Sequence, residues 1–217
     1  MEITWYGHSW FRLTERGLAT IVTDPYDDSI GYDVPRLKAD IVTVSHQAPG
    51  HNNIDAVKGA RPIQGPGEFE IGGVFITGIA MPRPTAERKK GAEDGKKNTL
   101  FLFDFDGLTV AHLGDLDHVP TQSQVEDLGA VSVVLVPVGG GGGLNAAQAA
   151  EVISLIEPSI VVPMHYKTAD TTLKLDPLSK FLKEMGMGTV KAEESLTVKK
   201  GSLPEETHVV VLDYKRG

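Results

Sequence analysis

A single α/β domain is the fold class that this sequence predicts, and three observations carry it. Short β-branched runs bounded by Gly, Pro and Asp fill the first half of the chain. A strand, helix and strand unit follows in the second half as VSVVLVPV, NAAQAAEVISLIEP and SIVVPMHY. No repeat of fixed period and no linker divides residues 1–217, and that length buries a core without covalent staples.

In chain order, ITWYGHSWFRLTE, LATIVTDPY, ADIVTVSH and GVFITGIAM read as strands, mostly too short for helices. TLFLF and LTVAH flank Asp104 to Gly107, whose Asp-Gly chemistry predicts an antiparallel hairpin. Before them, PRPTAERKKGAEDGKK is dense in charge, Gly and Pro and is expected to be an exposed, mobile loop. After the buried-type strand Val131 to Val138, the run Gly139 to Gly143 lacks the Lys-Ser/Thr of a phosphate-binding loop and is expected to be a flexible strand-to-helix connection. Asn145 is the expected N-cap of a helix that Pro158 stops. A second helix starts near Asp176-Pro177 and runs through LSKFLKEM. TVKAEESLTVKKG and THVVVLDY are expected to close the sheet.

Composition removes several kinds of chemistry. With no cysteine, disulfides, thiolate metal sites, iron–sulfur clusters and a cysteine nucleophile are excluded, so any metal is held by His, Asp or Glu. The balance of 21 Lys+Arg against 29 Asp+Glu gives a formal charge of −8, which repels phosphate backbones and anionic membranes. The N-terminal residues lack the basic and apolar regions of a signal peptide, and no apolar run approaches the ~20 residues that span a bilayer. A cytoplasmic protein without nucleic-acid or membrane partners is expected.

The strand ends carry the functional signal. LATIVT runs into Asp24, ADIVTVS into His46, LTVAHLG into Asp115 and SIVVPM into His165. One such residue is ordinarily a turn former or a satisfied polar group. Four of them predict a shared pocket on one rim, where a sheet holds the bases of converging groups. Asp24-Pro25 is the weakest of the four, because Asp-Pro is ordinary turn chemistry.

The ordered motifs GHSWFRL, TDPY, VSHQAPGHNN, GKKNTLFLFDFDGLTVAHLGDLDH, VLVPVGG and VVPMHYKT resemble the metallo-β-lactamase fold, in its branch of small hydrolases related to L-ascorbate-6-phosphate lactonase. The resemblance implies a four-layer αβ/βα sandwich with a metal site at one rim. It also implies ligand roles: His46 on a first metal position, His51 and His165 on a second, and Asp115 as a bridging carboxylate. The family's His-x-His-x-Asp-His loop is altered here, with Ala48 at its second His and Gly50 at its Asp, and Arg83 aligns with a further family histidine.

The first position then keeps too few donors for zinc, since a guanidinium cannot ligate; Arg83 is expected to pair with Asp115 or a substrate anion instead. His51, Asp115 and His165 suit a single zinc ion, with iron or manganese as alternatives. Restoring Ala48→His, Gly50→Asp and Arg83→His is expected to raise metal content. Asp115 and His112 are the candidate catalytic groups, although His112 on a strand would face away from Asp115 and pack as a hydrogen-bonded histidine. His118 also flanks Asp115, and His8 is a candidate pocket residue or outer partner of a ligand. By the same resemblance Asp24 would hold the His46 to His51 loop; a plain turn role is the alternative.

Two functions remain in view. One is a metal-dependent hydrolase of a small ester, lactone or phosphoester with at most one metal. The other is an inactive relative that binds a ligand or a protein, and a homo-oligomeric state stays open for both.

Overall fold

The computed structural model describes residues 1–82 and 98–216. Fifteen strands are formed among them. The first eight are β1 (Glu2–Trp5), β2 (Phe11–Thr14), β3 (Ile21–Thr23), β4 (Leu37–Lys38), β5 (Ile41–Val44), β6 (Val57–Lys58), β7 (Arg61–Gln64) and β8 (Gly67–Ile71). The rest are β9 (Val74–Ala80), β10 (Thr99–Asp104), β11 (Thr109–His112), β12 (Val133–Pro137), β13 (Ile160–Met164), β14 (Leu196–Thr197) and β15 (His208–Val209). Three helices, α1 (Gln122–Glu126), α2 (Ala146–Ile156) and α3 (Leu178–Glu184), all lie in the second half.

Two sheets pack face to face. The first has the order β14-β1-β2-β3-β5-β7 and the second β15-β13-β12-β11-β10-β9-β8, while β4 and β6 pair separately. Period-2 alternation divides the first sheet's residues between its two faces. Ile21, Ile41 and Ile63 join the large core shared with the second sheet and with Val152, Ile153 and Phe181 of α2 and α3. Val22 and Val42 face a smaller cluster with Trp10, Tyr26, Tyr32 and Val57. That outer layer is built from short 3-10 turns at Asp28–Ile30 and Ile54–Ala56 and from aromatic rings, with no α-helix among the described residues there.

Strand direction decides where the site forms. β1 and β3 are both antiparallel to β2, and β5 is parallel to β3, so these three end on the same side. In the second sheet β11, β12 and β13 are mutually parallel. Loops after strands that end together converge, as in other sheets whose ligands bind beyond the carboxyl ends.

Several expected elements are present. β10 and β11 pair antiparallel, with Asp106 and Gly107 at positive φ in the turn and the Asp104 side chain accepting from the Gly107 N–H. Asn145 caps α2: its side chain accepts from the Gln148 N–H at 3.0 Å, and the Gln148 side chain accepts from the Asn145 N–H at 3.1 Å. β12, α2 and β13 form the strand, helix and parallel-strand unit. The closing strands are shorter than expected. β14 and β15 have two residues each and are edge strands, where only one side needs a ladder. The expected charged loop lies outside the described residues except for Pro82 at its start, and Arg83 lies outside them too.

Replacing the α2 cap as Asn145→Ala removes one side-chain acceptor and is expected to cost about 1 kcal/mol of stability. Urea unfolding measures it as a lower midpoint with an unchanged slope; an unchanged midpoint would show that the cap contributes nothing.

Candidate metal centre

His8, His46, His51, Asp115 and His165 line one cavity of about 510 Å³, and each is buried. His8 comes from the β1–β2 turn, His46 and His51 from the loop after β5, Asp115 from the turn after β11 and His165 from the end of β13. Three of the expected strand ends therefore meet on one rim. The fourth, Asp24 after β3, lies directly beneath them.

Asp24 is fully buried and organises the His46 to His51 loop. Its Oδ1 accepts from the Ser45 N–H at 2.7 Å. Its Oδ2 accepts from the Ser45 hydroxyl at 2.5 Å and from His51 Nδ1 at 2.8 Å. Burial by itself would push the Asp24 carboxyl up. The hydrogen bonds that it accepts from His51 and from the Ser45 hydroxyl oppose burial, and the carboxyl lies below its ordinary value. The carboxylate is therefore ionised, and it fixes two tautomers. His51 donates Nδ1–H to Asp24, which leaves Nε2 as its lone-pair nitrogen. Ser45 has given its single proton to Asp24, so His46 Nδ1, at 3.1 Å, must donate to the Ser45 oxygen, and its Nε2 also carries a lone pair. Asp24 thus fills both of its expected roles: it turns the chain at φ +39 and it holds the loop.

The ligand-type atoms form two adjoining groups that share His51. Those of His46, His51 and Asp115 lie within 4.8 Å of one another, and so do those of His8, His51 and His165. His46 Nε2 is 3.9 Å from Asp115 Oδ2, His165 Nε2 is 3.4 Å from Asp115 Oδ1, and His8 Nε2 is 3.2 Å from His51 Nε2. Two donors on a tetrahedral zinc with bonds near 2.0 Å are separated by about 3.3 Å, so this donor set suits a metal in both chemistry and span. The expected set of His51, Asp115 and His165 is divided between the two groups, and His8, expected as a pocket residue, lines the cavity and contributes an atom to the second group.

Close backbone approach builds the remaining walls. A Cβ on Gly143 would lie 2.5 Å from Asp115 Oδ1, and one on Gly139 would lie 2.3 Å from the His165 carbonyl oxygen. The glycine run is therefore a close-packing element against the site, where a flexible connection had been expected. Asn98 holds Asp115 by accepting its N–H at 2.9 Å while donating to the Leu113 carbonyl at 3.0 Å. Asn98 and Ser45 were not anticipated. Their signal in the sequence is only that each stands directly against an apolar strand run at the rim.

His112 is placed behind the site, away from the cavity lining. Its Nε2–H donates to the Ser9 carbonyl at 3.0 Å and its Nδ1 accepts the Gly114 N–H at 3.3 Å. Burial lowers its pKa against the pull of Asp24, so the ring is neutral. The proton-transfer role expected of His112 gives way to packing, because both ring nitrogens are engaged. His118 donates Nδ1–H to Asp117 at 2.8 Å and does not line the cavity either.

The profile of the beta-lactamase superfamily domain matches residues 2–165. A UPF0173 protein of Pyrococcus furiosus is 29% identical over 194 residues, covering 77% of this chain and 84% of that one. A UPF0173 metal-dependent hydrolase of Archaeoglobus fulgidus is 27% identical over 197 residues, with the same coverages of 77% and 84%. Among solved structures, a proposed zinc-dependent hydrolase of the metallo-β-lactamase superfamily from Thermotoga maritima is 39% identical, with a TM-score of 0.77 and 97% of each chain covered.

The depressed His112 pKa sets a pH dependence. Below about pH 6.5 the unfolded chain protonates this histidine more readily than the folded protein does, so stability is full above that value and falls with acid. The wild type is expected to lose up to about 1.4 kcal/mol per pH unit more than His112→Gln between pH 6.5 and 5. Equal slopes in denaturant titrations would contradict a neutral buried His112.

Proposed function

Because the chain belongs to the beta-lactamase superfamily domain family, we propose that it is a metal-dependent hydrolase acting on a small ester, lactone or phosphoester. The observation that carries this reading is the convergence of four imidazoles and one carboxylate on a single cavity, two of the imidazoles held in a lone-pair-out tautomer by Asp24. The relatives named as metal-dependent or zinc-dependent hydrolases support it.

Neutral imidazole and carboxylate donors suit one zinc, iron or manganese ion, held by residues among His8, His46, His51, Asp115 and His165. Such an ion supplies a polarised oxygen and a water acidic enough to attack at neutral pH. The chain's own groups do the rest. Asp115, fixed through its backbone N–H by Asn98, is the carboxylate that accepts a proton inside the cavity. Gly143 lets the backbone pack closely against its Oδ1. At the mouth, exposed Lys174 offers a cation to an anionic substrate, and Ile30, Leu173 and Leu175 exclude water from its apolar part. A net charge of −8 disfavours a polyanionic nucleic-acid substrate and leaves a small molecule of the cytoplasm as the fitting class.

Metal analysis and a panel of chromogenic esters, lactones and phosphodiesters test the proposal. Purified protein is expected to hold about one divalent ion per chain, to lose turnover on chelation and to regain it with zinc, iron or manganese. Asp115→Asn is expected to lower turnover by about 100-fold or more. Hydrolysis that survives chelation would overturn the metal-dependent reading. A metal-loaded protein that turns over nothing in the panel would favour the ligand-binding relative.

A further inference from the structure

Gly50 stands where the family pattern carries an aspartate, and the space of that side chain is filled. A Cβ on Gly50 would lie 2.9 Å from His8 Nε2 and 3.3 Å from His8 Cδ2. The His8 imidazole therefore occupies the volume that any side chain at position 50 needs. The His8 backbone has φ +50, an uncommon left-handed conformation for a residue with a side chain. Its carbonyl accepts from the Trp5 indole N–H at 3.1 Å and from the His165 N–H at 3.1 Å, which ties the β1–β2 turn of one sheet to the end of β13 in the other.

The imidazole so placed meets two others. His8 Nε2 is 3.2 Å from His51 Nε2, the nitrogen whose lone pair Asp24 leaves facing the cavity. The His8 ring centroid is 4.2 Å from that of His165. One donor atom from each of the three rings falls within 4.8 Å of the other two. A hydrogen bond between His8 and His51 explains that pair alone. The third imidazole, His165, comes from the opposite sheet and also stands 3.4 Å from Asp115 Oδ1, so the three rings meet beside the carboxylate.

We infer that His8 is a metal ligand in this chain, completing a three-imidazole position with His51 and His165 and taking the place of the carboxylate missing at Gly50. The inference rests on the metal-dependent reading above and deepens it. It also bears on the restoring triple change: Gly50→Asp by itself drives a side chain into His8 and does not restore metal binding. Loss of the aspartate and use of His8 are two halves of one exchange.

Chelator-stripped protein titrated with zinc chloride and cobalt chloride, with cobalt absorption as a second readout, tests this without any substrate. His8→Asn is the chosen variant because asparagine tolerates a left-handed φ and its amide is a poor zinc donor. It is expected to weaken metal binding by about 100-fold or more, since removing even an outer partner of a ligand costs 10–100-fold. Gly50→Asp alone is expected to weaken binding as well, and the pair His8→Gly with Gly50→Asp to recover much of the wild-type affinity. Wild-type affinity in folded His8→Asn would overturn the inference while leaving the hydrolase reading intact. A wild type that takes up no metal would overturn both. Should His8→Asn fail to fold, X-ray absorption at the zinc edge of the wild type decides: three imidazoles support the inference, and two or fewer overturn it.

Discussion

The site depends on one buried carboxylate. Asp24 is wholly removed from water, which by itself disfavours its charge, yet it stays ionised because Ser45 and His51 donate to it. In exchange it fixes the loop after β5 and the tautomers of His46 and His51. Without that anion, either ring could turn its N–H toward the cavity, where a proton blocks coordination. The histidines that would bind metal are therefore arranged by a group that does not face the cavity.

Backbone strain collects at the same rim. Among the described residues, five other than glycine have positive φ, and His8, Asp24 and His165 are three of them. Such conformations cost of the order of 1–3 kcal/mol each and persist only where the surrounding fold over-determines them. Here the over-determination is visible: His165 N–H bonds to the His8 carbonyl, Asp24 N–H bonds to Thr43, and Gly139 donates to the His165 carbonyl. Two sheets closing on a shared core supply the energy that holds three residues of strained backbone at one point.

Much of this was legible in the sequence, for local reasons. Capping chemistry at Asn145, the Asp-Gly turn before β11 and the apolar strands running into Asp24, His46, Asp115 and His165 are signals carried within a few residues, and each has its structural counterpart. The part that was not legible is non-local. His8 was legible as a pocket residue, but its place beside His51 and His165 depends on a glycine 42 positions later that lacks a side chain, and no periodicity reports such a vacancy. Asn98 acts through the backbone of Asp115, a contact set by how β10 lies beside β11. The glycine run looked like flexibility because sequence shows small residues without showing what they pack against.

The arrangement by Asp24 has a direct spectroscopic signature. Long-range proton–nitrogen correlation on protein with labelled imidazoles, in metal-free buffer at neutral pH, reads each histidine's tautomer. The account predicts Nδ1–H forms for His46 and His51, both lost in Asp24→Asn. Nε2–H forms in the wild type would contradict it, because the nitrogens assigned to a metal would then carry protons.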